Sequence, residues 1–129
     1  KKEFDKENFV KNCEKFGLPL NKKIKEFSTG MKRKLHVIAA ISHNAKLLIL
    51  DEPTRGVDVN AKFEIYSTIN QLAKEGIAIV MISSELPELI NMCDNVCVVR
   101  GGKLMKTLAK EELSQEEIMK YATLRRENI

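Results

Sequence analysis

Two short apolar runs, separated by an amphipathic stretch, organise the middle of the chain. KLLILD spans residues 46–51 and IAIVMI spans residues 77–82. Apolar runs of this length without polar alternation predict strands of a parallel sheet that is buried on both faces. Residues 60–75 have apolar positions at helical spacing and are followed by Gly76, a common residue just after a helix. The pattern therefore predicts a strand, a helix and a second strand, with a right-handed crossover between parallel strands.

Further helices and a hairpin flank this central unit. Residues 5–16 have one apolar side and predict a short amphipathic helix. A second helix is predicted to begin at Ser28, whose hydroxyl can accept a hydrogen bond from an exposed backbone amide. Beyond the second strand the pattern predicts a short helix at 86–92, a hairpin around Gly101–Gly102 and a helix after Ser114. This order of elements is typical of the α/β class.

Composition narrows the class of protein without deciding its function. The chain has 129 residues, of which 43% are hydrophobic and 31% charged, as in a folded domain of modest core. No apolar run approaches the roughly 18 residues of a membrane-spanning helix, so a membrane role is expected to come through a partner. The three cysteines form no CxxC pair, which favours a reducing, cytosolic setting over a disulfide framework or a zinc site.

Charge and histidine placement argue against two other classes of site. The net charge is +4, and basic residues gather in KKIKEF and MKRK, but aromatic residues make up only 5% of the chain. These clusters therefore predict solvated helix faces, and no nucleic-acid partner is expected. His36 and His43 lie on one predicted helix without further ligands nearby, so packing or surface roles are expected for both.

Two adjacent carboxylates, Asp51 and Glu52, close the first predicted strand, and Ser83 and Ser84 follow the second. In parallel sheets, ligands bind beyond the carboxyl ends of the strands. The chain turns at a strand end, so both carboxylates can reach one site. Asp51 can hold a hydrated Mg²⁺, and Glu52 can orient or deprotonate an attacking water. A pair of surface carboxylates in a loop explains the same spacing, and the residues alone leave both interpretations open.

Four motifs, in the expected order, resemble those of the ATP-binding cassette (ABC) ATPases. LLILDEPT resembles the Walker B segment, FSTGMKRKL at 27–35 the signature motif, and RGVD at 55–58 the D-loop. ISSELPEL at 82–89 occupies the place of the switch-histidine loop. Four ordered motifs make the resemblance specific.

The resemblance implies the fold and its division along the chain. It implies the C-terminal half of a P-loop NTPase-type, RecA-like ABC domain, with parallel strands, flanking helices and a C-terminal β-hairpin. Residues 1–45 would form part of a helical subdomain with the signature helix. Residues 46–129 would form the C-terminal half of the ATPase core.

The resemblance also implies a role for each matching residue. Asp51 would act on the metal and Glu52 as the catalytic carboxylate, while Asp58 would lie across a dimer seam. The start of the signature helix would face the γ-phosphate of ATP bound on an opposing cassette, which suits exposed amides and a helix dipole. The residues implied in nucleotide binding are Ser28, Thr29, Gly30, Asp51 and Asp58. Locally, Ser28 can equally be a simple cap and Asp58 a turn residue.

Three departures from the family pattern affect these expectations. Thr29 brings a β-branch into the signature, where a small residue allows closer approach. Residues 9–50 resemble exporter-type cassettes, whereas residues 51–107 resemble the second cassette of ribose- or galactose-type importers, so a natural variant and a chimera are both open. Ser84 stands where many cassettes keep a histidine, and serine cannot act as imidazole does. It is nevertheless the predicted catalytic position of the switch loop, with slow hydrolysis or mainly binding expected.

None of the six glycines fits the P-loop pattern G-x-x-x-x-G-K-[ST]. The chain is therefore expected to be a fragment that lacks Walker A, inactive alone, with ATP and Mg²⁺ as cofactors of the complete cassette. A second cassette and a transmembrane permease are the expected partners, at the cytoplasmic side of the membrane. Unpaired sheet edges favour self-association. Two other interpretations are a non-catalytic structural half and the C-terminal half of a DNA-repair or chromosome-maintenance ATPase.

Overall fold

The computed structural model describes residues 3–123, and each helix and strand predicted from the sequence is present. The elements are α1 (Lys6–Lys15), α2 (Thr29–Ile41), β1 (Leu47–Asp51), α3 (Val59–Lys74), β2 (Ala78–Ile82), α4 (Leu86–Met92), β3 (Asn95–Arg100), β4 (Lys103–Ala109) and α5 (Gln115–Thr123). Two short 3₁₀ turns, Ile24–Glu26 and Lys110–Glu112, were not predicted. The sequence pattern extends the helix after Ser114 as far as Leu124, a residue that lies outside those the structure describes.

The chain divides into two compact units, one ending at Ile82 and the other beginning at Ser83. Within residues 3–123, no helix combines the length and the apolar character needed to cross a bilayer. The predicted subdomain boundary between residues 45 and 46 stays a prediction.

Among the helices of residues 3–123, four begin at side-chain caps that the sequence supplies. In each, an aspartate or serine oxygen accepts a hydrogen bond from the backbone N–H three residues later, at 2.9 to 3.1 Å. The caps are Asp5, Ser28, Asp58 and Ser114. Each supplies a partner for one of the amides that a helix start leaves without one.

A parallel pair of strands forms the sheet of the first unit, as predicted. β1 and β2 pair in register from Leu47 opposite Ala78 to Asp51 opposite Ile82. The prediction that both faces are buried is wrong, because burial alternates along the strands. Leu48 is 4% exposed, whereas Ile49 is 61% exposed. Successive side chains point to opposite faces, so one face of this sheet is an open apolar surface.

The exposed sheet face is defined by the large apolar side chains that share it. Ile49 lies opposite Val80 in the register, and both are exposed. Its members are Leu47, Ile49, Val80 and Ile82.

Helix packing builds the core of the first unit beside the sheet. Cys13 of α1 and Ile38 of α2 are buried together with Leu18 and Phe27 from the connection between the two helices. The predicted apolar side of residues 5–16 is therefore confirmed. On α3, Ile65, Ile69 and Leu72 are buried, whereas Phe63, another apolar position of the same helix, is 66% exposed.

The second unit contains the predicted hairpin. β3 and β4 pair antiparallel, and Val96, Val98, Leu108 and Ile118 form their buried cluster with α5. Gly101 and Gly102 have φ values of 55° and 73°, a region that glycine enters without steric cost.

Candidate functional site

The end of β1 carries the two predicted carboxylates on a sharply turning backbone. Asp51 is the last residue of the strand and is exposed. Glu52 has a φ of 47°, and its N–H donates to the Ile82 carbonyl at 2.8 Å. A non-glycine residue in this left-handed region stores backbone strain, which is commonly found at functional positions. The predicted turn at the strand end is confirmed.

Two consecutive turns then lead from this strand end to α3. The N–H of Arg55 donates to the Glu52 carbonyl at 3.2 Å, and the N–H of Val57 donates to the Thr54 carbonyl at 3.1 Å. Thr54 is 1% exposed, so the segment is anchored in the core. This geometry delivers Asp58 to the start of α3, with its side chain exposed.

Asp58 is the N-cap of α3, since its Oδ1 accepts a hydrogen bond from the N–H of Ala61 at 2.9 Å. Its role across a dimer seam stays a prediction. A carboxylate at the positive end of a helix is also favoured by the helix dipole.

The signature segment forms the start of α2. The Ser28 Oγ accepts a hydrogen bond from the N–H of Met31 at 3.1 Å, and Thr29 is exposed. Gly30 is buried, and a Cβ added there would lie 2.7 Å from the Cβ of Ala61 on α3. Gly30 thus has a local role, because a side chain would push α2 and α3 apart. Its predicted approach to nucleotide stays a prediction.

A cavity of about 460 Å³ brings the two helix starts together. Ser28, Gly30 and Asp58 all line it. Asp51 instead lines a separate cleft of about 210 Å³ with Arg33 and His36. The structure therefore groups three of the predicted nucleotide residues in one place and the strand-end carboxylate in another.

Ser84 lies in the second unit, in the segment that leads into α4. The Ser83 Oγ accepts a hydrogen bond from the N–H of Glu85 at 3.0 Å, and Glu85 is the N-cap residue of α4. Ser84 is exposed. Its catalytic role stays a prediction.

Sequence reasoning missed two basic residues on α2, Arg33 and Lys34. Lys34 is 9% exposed, so the prediction that MKRK is a solvated helix face is wrong for this residue. The Arg33 Nη2 donates to the Arg55 carbonyl at 3.3 Å. Spacing was the available signal, because Lys34 falls on a buried helical stripe. The other members of that stripe are Gly30, Val37, Ile38 and Ile41.

The two histidines do not share a helix, contrary to the prediction. α2 ends at Ile41, where the Ser42 hydroxyl donates to the Ile38 carbonyl at 2.7 Å. His43 packs edge-on against the Phe4 ring, with centroids 5.4 Å apart, while His36 is exposed. Over the described residues 3–123, no three His, Cys, Asp or Glu side chains are arranged to hold a metal ion.

Comparisons with known proteins agree with these motifs. An ABC transporter family profile matches residues 5–55. Ribose import ATP-binding protein RbsA of Shouchella clausii is 54% identical over 103 residues, which are 80% of this chain and 21% of that protein. Xylose import ATP-binding protein XylG of Moorella thermoacetica is 42% identical over 119 residues, or 92% of this chain and 24% of that protein.

A solved structure extends the likeness to the fold. The ADP conformation of MJ1267, an ATP-binding cassette of an ABC transporter, superposes with a TM-score of 0.81 and 25% identity. The superposition covers 94% of this chain and 50% of that one. In sequence and in fold, the chain matches part of an ABC transporter ATP-binding cassette. The predicted fold class is confirmed.

The lengths of these matches bear on the predicted change of subfamily near Asp51. The chain spans about a fifth of the length of the curated relatives that it matches. An alignment of 103 residues is longer than the segment 51–129, so the RbsA match includes residues on both sides of Asp51. A likeness to sugar importers therefore extends into the N-terminal part of the chain, and a chimera is not needed to explain it.

Proposed function

We propose that this chain supplies the Walker B, D-loop, signature and switch positions of the ATP-hydrolysing subunit of a sugar importer. The observation that carries the proposal is the end of β1, where Asp51 is exposed and the backbone turns at a left-handed Glu52. The importer class is supported by the ribose and xylose import proteins that it resembles.

The strand-end carboxylates fit the chemistry of a magnesium nucleotide. Mg²⁺ takes one or two carboxylates and completes its shell with water and phosphate oxygens, and the exposed Asp51 offers one such ligand. When bound, Mg²⁺ would offset the charge of the phosphates. Asp51 would hold it, and Glu52 would orient the attacking water and take its proton.

The helix starts supply the second part of the proposed site. The first turn of α2 presents backbone amides and the positive end of a helix, which together favour an anion. Ser28, Thr29 and Gly30 would face the γ-phosphate of ATP held on an opposing cassette, with Asp58 at the seam between the two. A second cassette is therefore the proposed partner.

No P-loop pattern occurs in these 129 residues, which bears on what the isolated chain can do. Without amides that cradle the phosphates, the chain alone should bind Mg-ATP weakly or not at all and should not turn it over. Calorimetry with Mg-ATP measures this, and micromolar affinity of the isolated chain would contradict it.

The exposed sheet face indicates where the rest of a cassette would pack. Parallel sheets are found with both faces covered, yet Ile49 and Ile82 are 61% and 52% exposed. The solved cassette that superposes on this chain is about twice as long. We therefore propose that the remaining half of a cassette covers this face, and that isolated chains self-associate through it.

A non-catalytic role is the second candidate, and Ser84 favours it. A serine at this position cannot carry the positive charge or take up the proton that an imidazole would. The site would then bind nucleotide and hydrolyse it slowly. The DNA-repair interpretation has less support, because the matched relatives named above are import proteins.

Grafting tests the proposal in a complete subunit. The aligned region of the Shouchella clausii RbsA would be replaced by this chain, which restores a P-loop half and a second cassette. We expect the graft to bind Mg-ATP and to hydrolyse it, with no stimulation by DNA. A folded graft that binds Mg-ATP without turnover would support the non-catalytic role, and DNA-stimulated turnover would support the DNA-repair class.

The proposed location follows from the partner. Importer ATP-binding subunits act on a transmembrane permease, and we propose the same for the protein to which this chain contributes. It would lie on the cytoplasmic side of the membrane, held there by the permease.

A further inference from the structure

Lys34 of α2 is a buried cation that joins three helices. Its side chain is 11% exposed. The Nζ donates to the Phe16 carbonyl at 2.9 Å and to the Glu64 carboxylate at 3.2 Å. Phe16 is the C-cap residue of α1, and Glu64 lies on α3. The ammonium group of Lys34 on α2 thus contacts the C-terminal end of α1 and the side of α3.

The physical chemistry of these contacts favours an orienting role over a large net stabilisation. The last carbonyls of a helix have no partner within the helix, and its C-terminal end attracts a cation. Glu64 is 67% exposed, so water screens the ion pair and reduces its contribution to stability. A buried ammonium without acceptors is costly, so α1 and α3 are restricted to positions that keep both acceptors within reach of Lys34.

Restricting these helices also affects the starts of α2 and α3, because Lys34 shares a cavity with both. Lys34 and Glu64 line the same cavity as the two caps, Ser28 and Asp58. One turn before Lys34, Gly30 contacts Ala61 so closely that a side chain would not fit. A shift of α3 along α2 would therefore break the Lys34–Glu64 ion pair and, at the same time, change the contact between Gly30 and Ala61.

We infer that Lys34 is a positioning residue that sets the start of α2 against the start of α3. It does so by holding the Phe16 carbonyl and the Glu64 carboxylate at once. The inference rests on the proposed function only for its consequence, namely that Ser28 and Asp58 must keep a fixed separation to serve one nucleotide. The geometry itself can be tested without nucleotide.

The test uses the amides that the two caps bind, in the full 129-residue chain. The N–H of Met31 and the N–H of Ala61 report the caps at Ser28 and Asp58, through their chemical shifts and hydrogen-exchange rates. Lys34→Met removes the charge at similar length, and Lys34→Arg keeps it. Lys32→Met is the matched control, since Lys32 is an exposed residue of the same helix.

We expect Lys34→Met to speed exchange at both amides about fivefold or more, the effect of losing one cap interaction, and to shift both resonances. Lys34→Arg should restore both, and Lys32→Met should leave both exchange rates unchanged. If Lys34→Met lowers the midpoint of urea unfolding but leaves both amides unchanged, Lys34 only stabilises the fold and the inference is wrong.

A second variant keeps the inference testable if Lys34→Met does not fold. Glu64→Met removes one acceptor at similar length and at a mostly exposed position, so the fold should persist. We expect a shift of the Ala61 resonance and faster exchange there, with amides of the second unit unchanged. Unchanged Met31 and Ala61 amides in Glu64→Met would overturn the inference, whatever the graft shows about ATP hydrolysis.

Discussion

Gly30 shows how the absence of one side chain sets the distance between two helices. The sequence placed Gly30 in a motif, and a motif says nothing about which neighbour the glycine admits. The structure supplies that neighbour, Ala61 on α3. A role in packing and a role towards nucleotide are compatible, because close helices are what place Ser28 and Asp58 on one cavity.

Gly30→Ala should destabilise the first unit by about 1–3 kcal/mol, the usual cost of an added methyl group in a packed contact. Unfolding in urea, followed by the fluorescence of Tyr66 in a Tyr121→Phe background, measures it, since the chain has two tyrosines and no tryptophan.

Ala61→Gly provides the matched control for this change. The double variant Gly30→Ala/Ala61→Gly should recover part of the stability lost in Gly30→Ala, because the methyl group of Ala61 is the one that the new side chain meets. The recovered part is the coupling free energy between the two positions. A strictly additive double variant would show that the contact between the two positions is not responsible.

The cysteines differ in their expected reactivity. Burial raises the pKa of the Cys13 thiol, and the nearby Glu14 carboxylate raises it further. Only the thiolate reacts, so at about pH 8 Cys13 should be labelled by a disulfide reagent far more slowly than the exposed Cys97. Its labelling should accelerate as the pH rises towards the raised pKa. Cys97→Ser should abolish the fastest phase, and a fast phase that remains would contradict this ranking.

At the scale of elements, the sequence predicted helices and strands well because their signals are local. Ser28 and Ser114 stand where caps are needed, and Gly101–Gly102 stands where a hairpin must turn. Burial could not be predicted in the same way. The apolar strands indicated cover on both faces, but whether a covering element is present depends on more of the chain than a local window contains.

Asp58→Ala tests whether the cap at the start of α3 is local to its own unit. Loss of the cap should cost the first unit about 1 kcal/mol and leave the second unit unchanged. Ser114→Ala removes an equivalent cap from α5 and should do the reverse. Single-tyrosine variants that keep Tyr66 or Tyr121 distinguish the two units. Equal losses in both signals from either variant would contradict independent capping.

At the scale of the whole molecule, the candidate site was only partly predictable. The resemblance named Ser28, Gly30 and Asp58, and the structure places them on one cavity. The resemblance did not identify Lys34. The cluster of basic residues around Lys34 suggested a solvated helix face, and only the spacing of Lys34 along α2 indicated burial. Motif matching identifies residues expected to contact a ligand, whereas the residues that hold a motif in place are identified from their packing in the structure.

Ile49→Lys tests whether the exposed sheet face drives self-association. A charge in the middle of an apolar contact should disfavour pairing of isolated chains, while a lysine at a position already 61% exposed should cost the fold little. Light scattering across a concentration series measures the mass.

Val99→Lys, at a 63% exposed position of the hairpin, is the control and should leave the association unchanged. A parent chain that is monomeric at all concentrations would contradict the proposed self-association. Equal effects of the two lysines would show that the sheet face is not the surface involved.

The rate of ATP hydrolysis by the RbsA graft that carries Glu52→Gln tests the central claim most directly. Gln keeps the size of the side chain but cannot take a proton, so turnover should fall by about 10²-fold or more while Mg-ATP binding is retained. Glu116→Gln, at an exposed position of α5, is the control and should retain the parent rate. Turnover of Glu52→Gln within about twofold of the parent graft would contradict the assignment of Glu52 and, with it, a catalytic role for the end of β1.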